Sequence, residues 1–378
     1  MRRTLVVLVV LVVLFGAPAQ AATAGVTLAA DRPVVPYGET VTLVGQVDPA
    51  VAGQTVELLV QTEAGLAPVG AAPAAADGTF SFTPAMSAPA SFVARSAGVD
   101  SAPVVVGLRP LLRVRLSGSR VLGGRLLLTG RLLPAPAGTL TLSVGEASSS
   151  LGTDTAGRFR ARLPTDRIQS YTAVVQLAPA PNFEAVQAMA RYRIQLPTLG
   201  LGSRGAPVRM LERRLAELHY VLRSVNGYFG YDTYEAVLAF QKVHRVRRTG
   251  RVTAATWRLL SRASVPRARI PRGNHIEVDK SRQVMFEVRN GKVVRAVHVS
   301  TGATGNTPVG RWRVYSKTPG YNGSRMYYSL FFLRGFAIHG YASVPPFPAS
   351  HGCVRTPIWF APGFYARWGR GAIIWVFP

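Results

Sequence analysis

The sequence predicts a mainly β protein of several domains, with one short helical segment between β-rich regions. With 378 residues the chain is too long for one ordinary hydrophobic core. Hydrophobic residues make up 48% of the chain and charged residues 16%, a globular rather than a disordered balance. Short apolar segments between Pro and Gly turns dominate residues 24–196 and return after residue 274, whereas residues 199–262 have a helical period.

The first 21 residues have the organisation of a secretory signal peptide. Arg2 and Arg3 precede an unbroken apolar run from Leu5 to Phe15, and Ala19-Gln20-Ala21 forms a small-x-small cleavage pattern. The apolar run is too short to span a bilayer comfortably. We therefore expect a cleaved signal peptide over 1–21 and an exported, extracytoplasmic protein that contacts the membrane only transiently through that peptide.

Residues 24–110 and 111–196 are predicted to form two tandem β-sandwiches of the immunoglobulin-like type. In the first, strands are expected at 40–44, 55–60 and 79–82, separated by turns. The second segment repeats the plan, because Gly45 recurs as Gly130 and the motif 77–80, ending in Phe80, recurs as 156–159, ending in Phe159. A repeat of roughly 80–85 residues with many short strands favours two sandwiches. We interpret them as spacers without a catalytic site.

Residues 199–262 are predicted to form a bundle of three short helices. Pro207 suits the first turn of the first helix, and apolar residues follow at helical spacing. Asp232 or Thr233 is expected to cap the second helix, and Thr253 the third. Taken one by one, the apolar positions of this bundle need no function beyond core packing.

The bundle contains a set of short motifs: Gly202 to Val208, Gly227-Tyr228-Phe229-Gly230, Phe240-Gln241, Gly250 and Thr256-Trp257. In these motifs it resembles a known cell-wall module, the peptidoglycan-binding domain of the three-helix type. Thr249 stands where that family usually has Asp or Asn before the glycine. The resemblance implies a tether to the peptidoglycan sacculus rather than catalysis, and it assigns no ligand contacts to individual residues.

The charge of the chain favours a polyanionic partner. The formal net charge is +26 at pH 7, from 44 Lys and Arg against 18 Asp and Glu. Clustered basic charge is also typical of nucleic-acid binding. No groove-reading or zinc-finger motif occurs, and the expected export argues against nucleic acid. We therefore expect an acidic polymer of the wall, and no nucleic acid, as partner.

Cys353 is the one cysteine of the sequence, so an internal disulfide is excluded. It belongs to the segment Ser350-His351-Gly352-Cys353, which follows Ile338-His339-Gly340. A thiol reacts at neutral pH only with a lowered pKa or a neighbouring base, and either histidine supplies an imidazole. Main-chain N–H groups around Cys353 can stabilise the oxyanion of a tetrahedral intermediate. No Asp or Glu follows Glu287, so the group that orients the histidine is an earlier acid or a backbone carbonyl.

Two other roles for Cys353 compete with nucleophilic catalysis. A buried, inert cysteine would leave the Ser-His-Gly pattern around it without a purpose. A zinc site of His339, His351 and Cys353 is the second alternative. No acidic general base stands near these residues, and zinc would not explain Ser350 and Gly352. The pattern therefore favours a thiol nucleophile without a metal.

Residues 274–378 resemble the L,D-transpeptidase family of the YkuD type. The similarity lies in Ile276 to Gln283, Gly291-Lys292, Ser300-Thr301-Gly302, Thr307-Pro308-Val309-Gly310, Ile338-His339-Gly340 and Ser350 to Arg355. The resemblance implies a β-rich catalytic domain over 274–378 in which Cys353 is the nucleophile and His339 the general base, oriented by a main-chain carbonyl at Gly340. Ser350, His351 and Gly352 then shape the site and its oxyanion hole. His351 remains the alternative base.

Arg355 is the substrate-binding candidate of this segment. It stands where other members of the family have Asn, although Arg is also common there. A guanidinium pairs bidentately with a carboxylate. Arg325 and Arg334 are further candidates, with solvated surface as the simpler explanation. The aromatic residues of 321–332 either line a lid over the donor site or belong to the core.

The resemblance implies a cysteine acyltransferase that acts on peptidoglycan stem peptides. Its thiol attacks the carbonyl at the L-centre of diaminopimelate in a tetrapeptide stem, releases D-alanine and passes the acyl group to a neighbouring stem as a 3→3 cross-link. We expect no metal and no organic cofactor. The alternatives are an L,D-carboxypeptidase, in which water takes the acyl group, and a non-catalytic wall-binding protein.

Overall fold

The computed structural model describes residues 25–135 and 138–378. The predicted signal peptide over 1–21 lies outside these described residues. They divide into two compact units, one containing 25–115, 129–160 and 173–190, the other containing 116–128, 161–172 and 191–378. None of the helices in the described ranges has the length and apolar composition needed to cross a bilayer.

The first β-sandwich is built from ten short strands. They are β1 Gly25–Val26, β2 Ala29–Ala30, β3 Val34–Pro36, β4 Leu43–Asp48, β5 Thr55–Thr62, β6 Gly65–Pro73, β7 Thr79–Phe82, β8 Ala90–Ser96, β9 Val99–Asp100 and β10 Val104–Arg109. One sheet has the order β1-β4-β2 with β7 on β4, and the other has the order β3-β10-β8-β5-β6 with β9 on β8. The strand predicted at 40–44 begins only at Leu43, because β7 pairs with Leu43 to Gln46.

The second sandwich has seven strands. They are β11 Leu111–Gly118, β12 Leu126–Leu133, β13 Leu140–Val144, β14 Ala147–Leu151, β15 Arg158–Leu163, β16 Ser170–Leu177 and β17 Val186–Arg193. Its sheets have the orders β11-β12-β15 and β14-β13-β16-β17. The repeat seen in the sequence has a packing basis: a Cβ at Gly45 would collide with the ring of Phe80, and one at Gly130 with the ring of Phe159. Each sandwich therefore needs a glycine where a strand passes over a core phenylalanine.

Three helices follow, α1 Ala206–Glu217, α2 Tyr231–Val243 and α3 Ala254–Arg262. Thr253 caps α3 as predicted, since its side chain accepts from the Thr256 amide. The predicted cap of α2 is wrong: Gly230 occupies the N-cap position, and no side chain caps that helix. Thr233 is the third residue of α2 and donates instead to the buried carboxylate of Glu212, at 3.3 Å.

The C-terminal domain packs two sheets and one short helix around an apolar core. Its elements are β18 His275–Asp279, β19 Val284–Arg289, β20 Lys292–His298, β21 Gly310–Arg313, β22 Ser316–Tyr321, β23 Tyr327–Leu333, β24 Phe336–Tyr341, β25 Val354–Pro357, α4 Ala361–Arg367 and β26 Ile373–Phe377. The sheet orders are β20-β19-β18-β26-β21 and β22-β23-β24-β25. Side chains of both sheets, such as Ile276 and Ile338, meet in one buried cluster. The predicted fold class, mainly β with a three-helix bundle, is confirmed.

Candidate active site

Strands β24 and β25 bring the two catalytic candidates to one place. The strands are parallel, with Ile338 opposite Val354 and His339 opposite Arg355. Cys353 immediately precedes β25, so its thiol lies at the start of the strand that pairs with β24, which carries His339. Both residues line a cavity of about 480 Å³. The other lining residues are Ser324, Met326, Gly335, Phe336, Tyr341, Ser350, His351 and Arg355.

Ser350 shapes the turn that presents the thiol. Its hydroxyl donates to the Cys353 carbonyl at 2.6 Å and accepts from the Gly352 amide at 3.0 Å. Gly352 has φ +131°, and a Cβ there would collide with the ring of Phe336. The turn therefore requires glycine at this position for two independent reasons. The Gly352 amide is already used within the turn, which leaves the Cys353 amide as the candidate oxyanion donor.

Side chains from the preceding loop hold this turn from outside. Thr307 Oγ1 donates to the Gly352 carbonyl at 2.7 Å and accepts from the Gly302 amide at 2.9 Å. Asn306 Nδ2 donates to the His351 carbonyl at 2.9 Å. Sequence reasoning gave no role to Asn306 or Thr307. The signal was present, because Thr307 opens one of the segments shared with the YkuD family.

The ring of His339 is buried and held in one orientation. Its Nδ1 lies 2.9 Å from the Gly340 carbonyl, and because a carbonyl only accepts, Nδ1 carries the proton and Nε2 the lone pair. Burial lowers the pKa of His339 to about 4, opposed by the bond to Gly340 and assisted by the charge of Arg355. The ring is therefore neutral near pH 7, with a free nitrogen that can take a proton.

The thiol of Cys353 is also neutral at rest. Burial raises its pKa, opposed by the Ala337 backbone amide and by the charge of Arg355. Its Sγ lies 3.6 Å from the Gly335 carbonyl and 3.9 Å from Met326 Sδ. The sequence left two routes to reactivity open, a lowered thiol pKa or a base. The electrostatics favour the base.

His351 and Arg355 border the same cavity in different ways. His351 is exposed, and its ring makes no hydrogen bond within the described part of the chain, so its orientation is not fixed as that of His339 is. The guanidinium of Arg355 lies over the Tyr341 ring, 4.1 Å from its centroid, and no carboxylate of the described residues pairs with it. It therefore remains available to an anionic ligand.

Other candidates from the sequence lie elsewhere. Arg325 and Arg334 do not line the cavity. Phe332 is buried in the domain core and Tyr321 is exposed, so neither forms the cavity wall. Met326 and Phe336 do so instead. Within 25–135 and 138–378, no group of three His, Cys, Asp or Glu side chains is arranged to hold a metal ion.

Two protein-family models match the chain. Residues 273–376 match the L,D-transpeptidase catalytic domain named YkuD. The C-terminal domain belongs to that family. Residues 204–260 match a putative peptidoglycan binding domain. Both resemblances noted in the sequence are confirmed. An L,D-transpeptidase domain next to a peptidoglycan-binding domain indicates a transpeptidase of the cell wall, with peptidoglycan as substrate and a cell-wall or extracytoplasmic location.

Solved structures of L,D-transpeptidases are also similar to the chain. One from Xylanimonas cellulosilytica is 31% identical over 47% of this chain and 97% of its own, with a TM-score of 0.46. One from Mycobacterium smegmatis is 12% identical over 70% of this chain and 100% of its own, with a TM-score of 0.25. Because these TM-scores are below 0.5, the family assignment rests on the two domain models. A search of curated proteins found no match.

Proposed function

We propose that the protein is an exported peptidoglycan L,D-transpeptidase that forms 3→3 cross-links through a thioester on Cys353 and releases D-alanine. One observation carries the proposal: the thiol shares a cavity with a histidine whose Nδ1–H is held by the Gly340 carbonyl. The free Nε2 of that ring is the group that a neutral thiol needs for attack.

The proton moves between His339 and the reacting groups in both half-reactions. As Cys353 Sγ attacks the stem carbonyl, the S–H proton passes to His339 Nε2. The tetrahedral intermediate collapses with cleavage of the C–N bond, and His339 returns the proton to the departing amine of D-alanine. In the second half-reaction the acceptor amine attacks the thioester carbonyl as His339 takes a proton from it. The C–S bond then breaks, His339 returns the proton to Cys353 Sγ, and an amide cross-link is left.

Negative charge that develops on the stem carbonyl oxygen is proposed to be met by the Cys353 amide. Ser350, Gly352 and Thr307 fix the turn that aims this N–H, so they act by positioning. Before attack the thiol must turn from the Gly335 carbonyl toward the His339 ring. Hydrogen bonds of this kind are often long before substrate binds.

Arg355 is proposed to bind a carboxylate of the stem peptide. Its guanidinium lines the cavity and lies over the Tyr341 ring, and no carboxylate of the described residues pairs with it, so it is free for bidentate pairing with a ligand. The same charge stabilises the thiolate that forms during attack. Binding and activation therefore depend on one side chain.

The remaining segments are proposed to export the protein and to place the catalytic domain next to peptidoglycan. The arrangement is a signal peptide over 1–21, spacer sandwiches over 24–110 and 111–196, a peptidoglycan-binding bundle over 199–262 and the catalytic domain over 274–378. Binding of the bundle to the sacculus raises the local concentration of stem peptides around the cavity.

Purified protein incubated with disaccharide-tetrapeptide and analysed by mass spectrometry tests the proposal. We expect a cross-linked dimer with loss of one D-alanine. A tripeptide product alone would instead identify a carboxypeptidase, and an unchanged substrate would identify a wall-binding protein without activity. Cys353→Ala should abolish the reaction and preserve sacculus binding.

The assignment of the base is tested by comparing His339→Ala with His351→Ala. The first should reduce turnover by about 10²–10⁴-fold, the usual contribution of a general base. The second removes a ring without a fixed partner, so we expect less than a tenfold loss. The reverse ranking would transfer the role of base to His351.

A further inference from the structure

A second cavity, of about 770 Å³, lies on the second sandwich and is lined by arginines. Its lining includes Arg113 and Arg115 of β11, Arg131 of β12, and Arg158 and Arg160 of β15. Asp154 is the one acidic residue that the structure describes in this lining. The cavity therefore presents five guanidinium groups against one carboxylate.

The arginines form rows because of strand geometry. Residues i and i+2 of a strand share one face, about 6.6–6.8 Å apart. On β15, Arg158 and Arg160 are exposed and flank Phe159, which points into the core. On β11, Arg113 and Arg115 are likewise exposed at alternate positions. The charged rows thus follow two strands of one sheet.

These charges are not neutralised by the protein. In the described part of the chain, none of the five arginines takes part in a salt bridge, and their only side-chain hydrogen bond runs from Arg131 Nε to the Ala156 carbonyl, at 3.1 Å. Asp154 is occupied by its own turn, because its Oδ1 accepts from the amides of Ala156 and Arg158. Arg131 of β12 lies on the strand between the two rows, and like charges on adjacent strands destabilise a sheet. A bound anion would remove this repulsion.

The central strand β12 forms the floor between the two rows, and Thr129 and Gly130 line it. Gly130 faces the core, where Phe159 fills the space that a Cβ would need, so the outward side chains of this stretch are those of Thr129 and Arg131. An extended chain that lies between the arginine rows over Thr129 can therefore contact arginines of all three strands.

We propose that this arginine-lined face binds a linear cell-wall polymer whose repeating units are joined by phosphodiesters. A guanidinium pairs bidentately with phosphate and keeps its charge at all physiological pH values. Rows of guanidiniums at strand spacing match a chain with regularly repeated single charges better than an isolated ion. The transpeptidase and peptidoglycan-binding domains indicate that the chain acts where such polymers accompany peptidoglycan. This second site is independent of the catalytic proposal.

Binding of fluorescent polyglycerol-phosphate chains to the full-length protein, measured by anisotropy over a series of salt concentrations, tests the inference. One triple variant replaces Arg113, Arg115 and Arg160 together by Gln. These three were chosen because their side chains make no hydrogen bond among the described residues. We expect at least a tenfold weaker affinity. The dependence of log Kd on log salt should also become shallower, by roughly one for each phosphate group that the variant no longer pairs with. The matched control replaces Arg213, Arg247 and Arg272 by Gln, which removes the same charge from other exposed positions and should change the affinity less than threefold.

A variant with Lys at 113, 115 and 160 preserves the charge and separates folding from recognition. It should bind with intermediate affinity, because Lys lacks the guanidinium fork.

Equal affinity of the Gln variant and the unaltered protein would overturn the proposal, as would an equally weakened control. Tighter binding of charge-matched polyglutamate would overturn the assignment of phosphodiesters and show that the face prefers carboxylates. Tighter binding of oligo(dT) through the same arginines would reject the wall polymer in favour of nucleic acid. Turnover of soluble muropeptide should be unchanged in the Gln and the Lys variants at 113, 115 and 160.

Discussion

Lys242 of the helical bundle donates a hydrogen bond to His298 Nδ1 of the catalytic domain, at 2.6 Å. Nζ also lies 3.0 and 2.8 Å from the carbonyls of Gln283 and Val299, so three acceptors surround it. Burial lowers the pKa of Lys242 to about 6, against which these acceptors stabilise the charged form. His298 Nε2 lies 2.7 Å from the Val344 carbonyl, in the loop that leads to Ser350. The peptidoglycan-binding bundle is therefore joined by a buried polar contact to the segment that precedes the catalytic turn.

Replacement of Lys242 by Met should destabilise the joined domains by about 2–4 kcal/mol. Met fills a similar volume, but His298 Nδ1 and the Val299 carbonyl lose their donor in a buried setting. Chemical denaturation followed by tryptophan fluorescence measures the effect. Lys292→Met, at an exposed position of β20, is the control and should change stability by less than about 0.5 kcal/mol. A stability equal to that of the unaltered protein would show that the contact contributes nothing.

Gly352→Ala should inactivate the enzyme and destabilise it by about 3 kcal/mol or more. The alanine would have to adopt φ +131° and its Cβ would strike the ring of Phe336, so the turn before Cys353 must rearrange. Turnover of disaccharide-tetrapeptide and the thermal midpoint report the two effects. Gly369→Ala, where a Cβ meets open space, is the matched control. Normal turnover in Gly352→Ala would mean that this turn does not need its observed shape.

The rate of Cys353 alkylation by iodoacetamide should rise with pH without a plateau between pH 5 and 8. The pKa of the thiol is raised by burial and the pKa of His339 is lowered to about 4, so both groups are neutral across that range. The thiolate forms only as pH approaches and passes the ordinary thiol pKa of about 8.5. His339→Ala should change the alkylation rate less than twofold at pH 8, although it strongly reduces turnover. A plateau below pH 7 that disappears in this variant would instead indicate a preformed thiolate–imidazolium pair.

Glu235→Gln should stabilise the protein at pH 8 and leave its stability at pH 4 nearly unchanged. Burial raises the pKa of Glu235 to about 7, opposed by its hydrogen bond from Trp359 Nε1. Because the folded state holds the proton more tightly than the unfolded chain, stability is highest below about pH 4.5 and falls as pH rises to 7. The loss amounts to up to about 3 kcal/mol for the full shift, and Gln avoids it while its carbonyl still accepts from Trp359.

The difference in unfolding free energy between Glu235→Gln and the unaltered protein, measured at pH 4, 6 and 8, checks the sign. Glu217→Gln is the comparison, because Glu217 is exposed and paired with Arg214 on the surface of α1. It should show little dependence on pH. A Glu235→Gln variant that is less stable at pH 8 would mean that the carboxylate is charged and satisfied in the fold.

Local patterns in the sequence were sufficient for the fold class and the main elements. Asn290-Gly291 is a dipeptide typical of two-residue hairpin turns, and it joins β19 to β20 with φ values of 48° and 74°. The cap of α3 could also be predicted from neighbouring residues. The cap of α2 could not, because Thr233 donates its hydrogen bond to the carboxylate of Glu212, 21 residues earlier in the chain, and local sequence rules do not identify such a partner.

The residue types of the site could be named from the sequence because cysteine and histidine chemistry is specific and the segment around Cys353 is distinctive. The residues that hold the turn and form the cavity wall could not be named from the sequence. Thr307 and Asn306 reach the turn across 45 residues, and Met326 and Phe336 enter the cavity wall from a neighbouring hairpin. Such contacts depend on which strands become neighbours.

By itself the sequence predicted a nucleophile, two candidate bases and the order of domains, and it identified the family of the last two domains, since each depends on residue type and spacing along the chain. The tertiary structure alone decided that thiol and imidazole are both neutral, that five arginines share one face, and that Lys242 reaches the catalytic domain. The physical reason is that the effects of burial and charge depend on distances between groups in space. Strand pairing and domain packing set these distances independently of separation in the sequence.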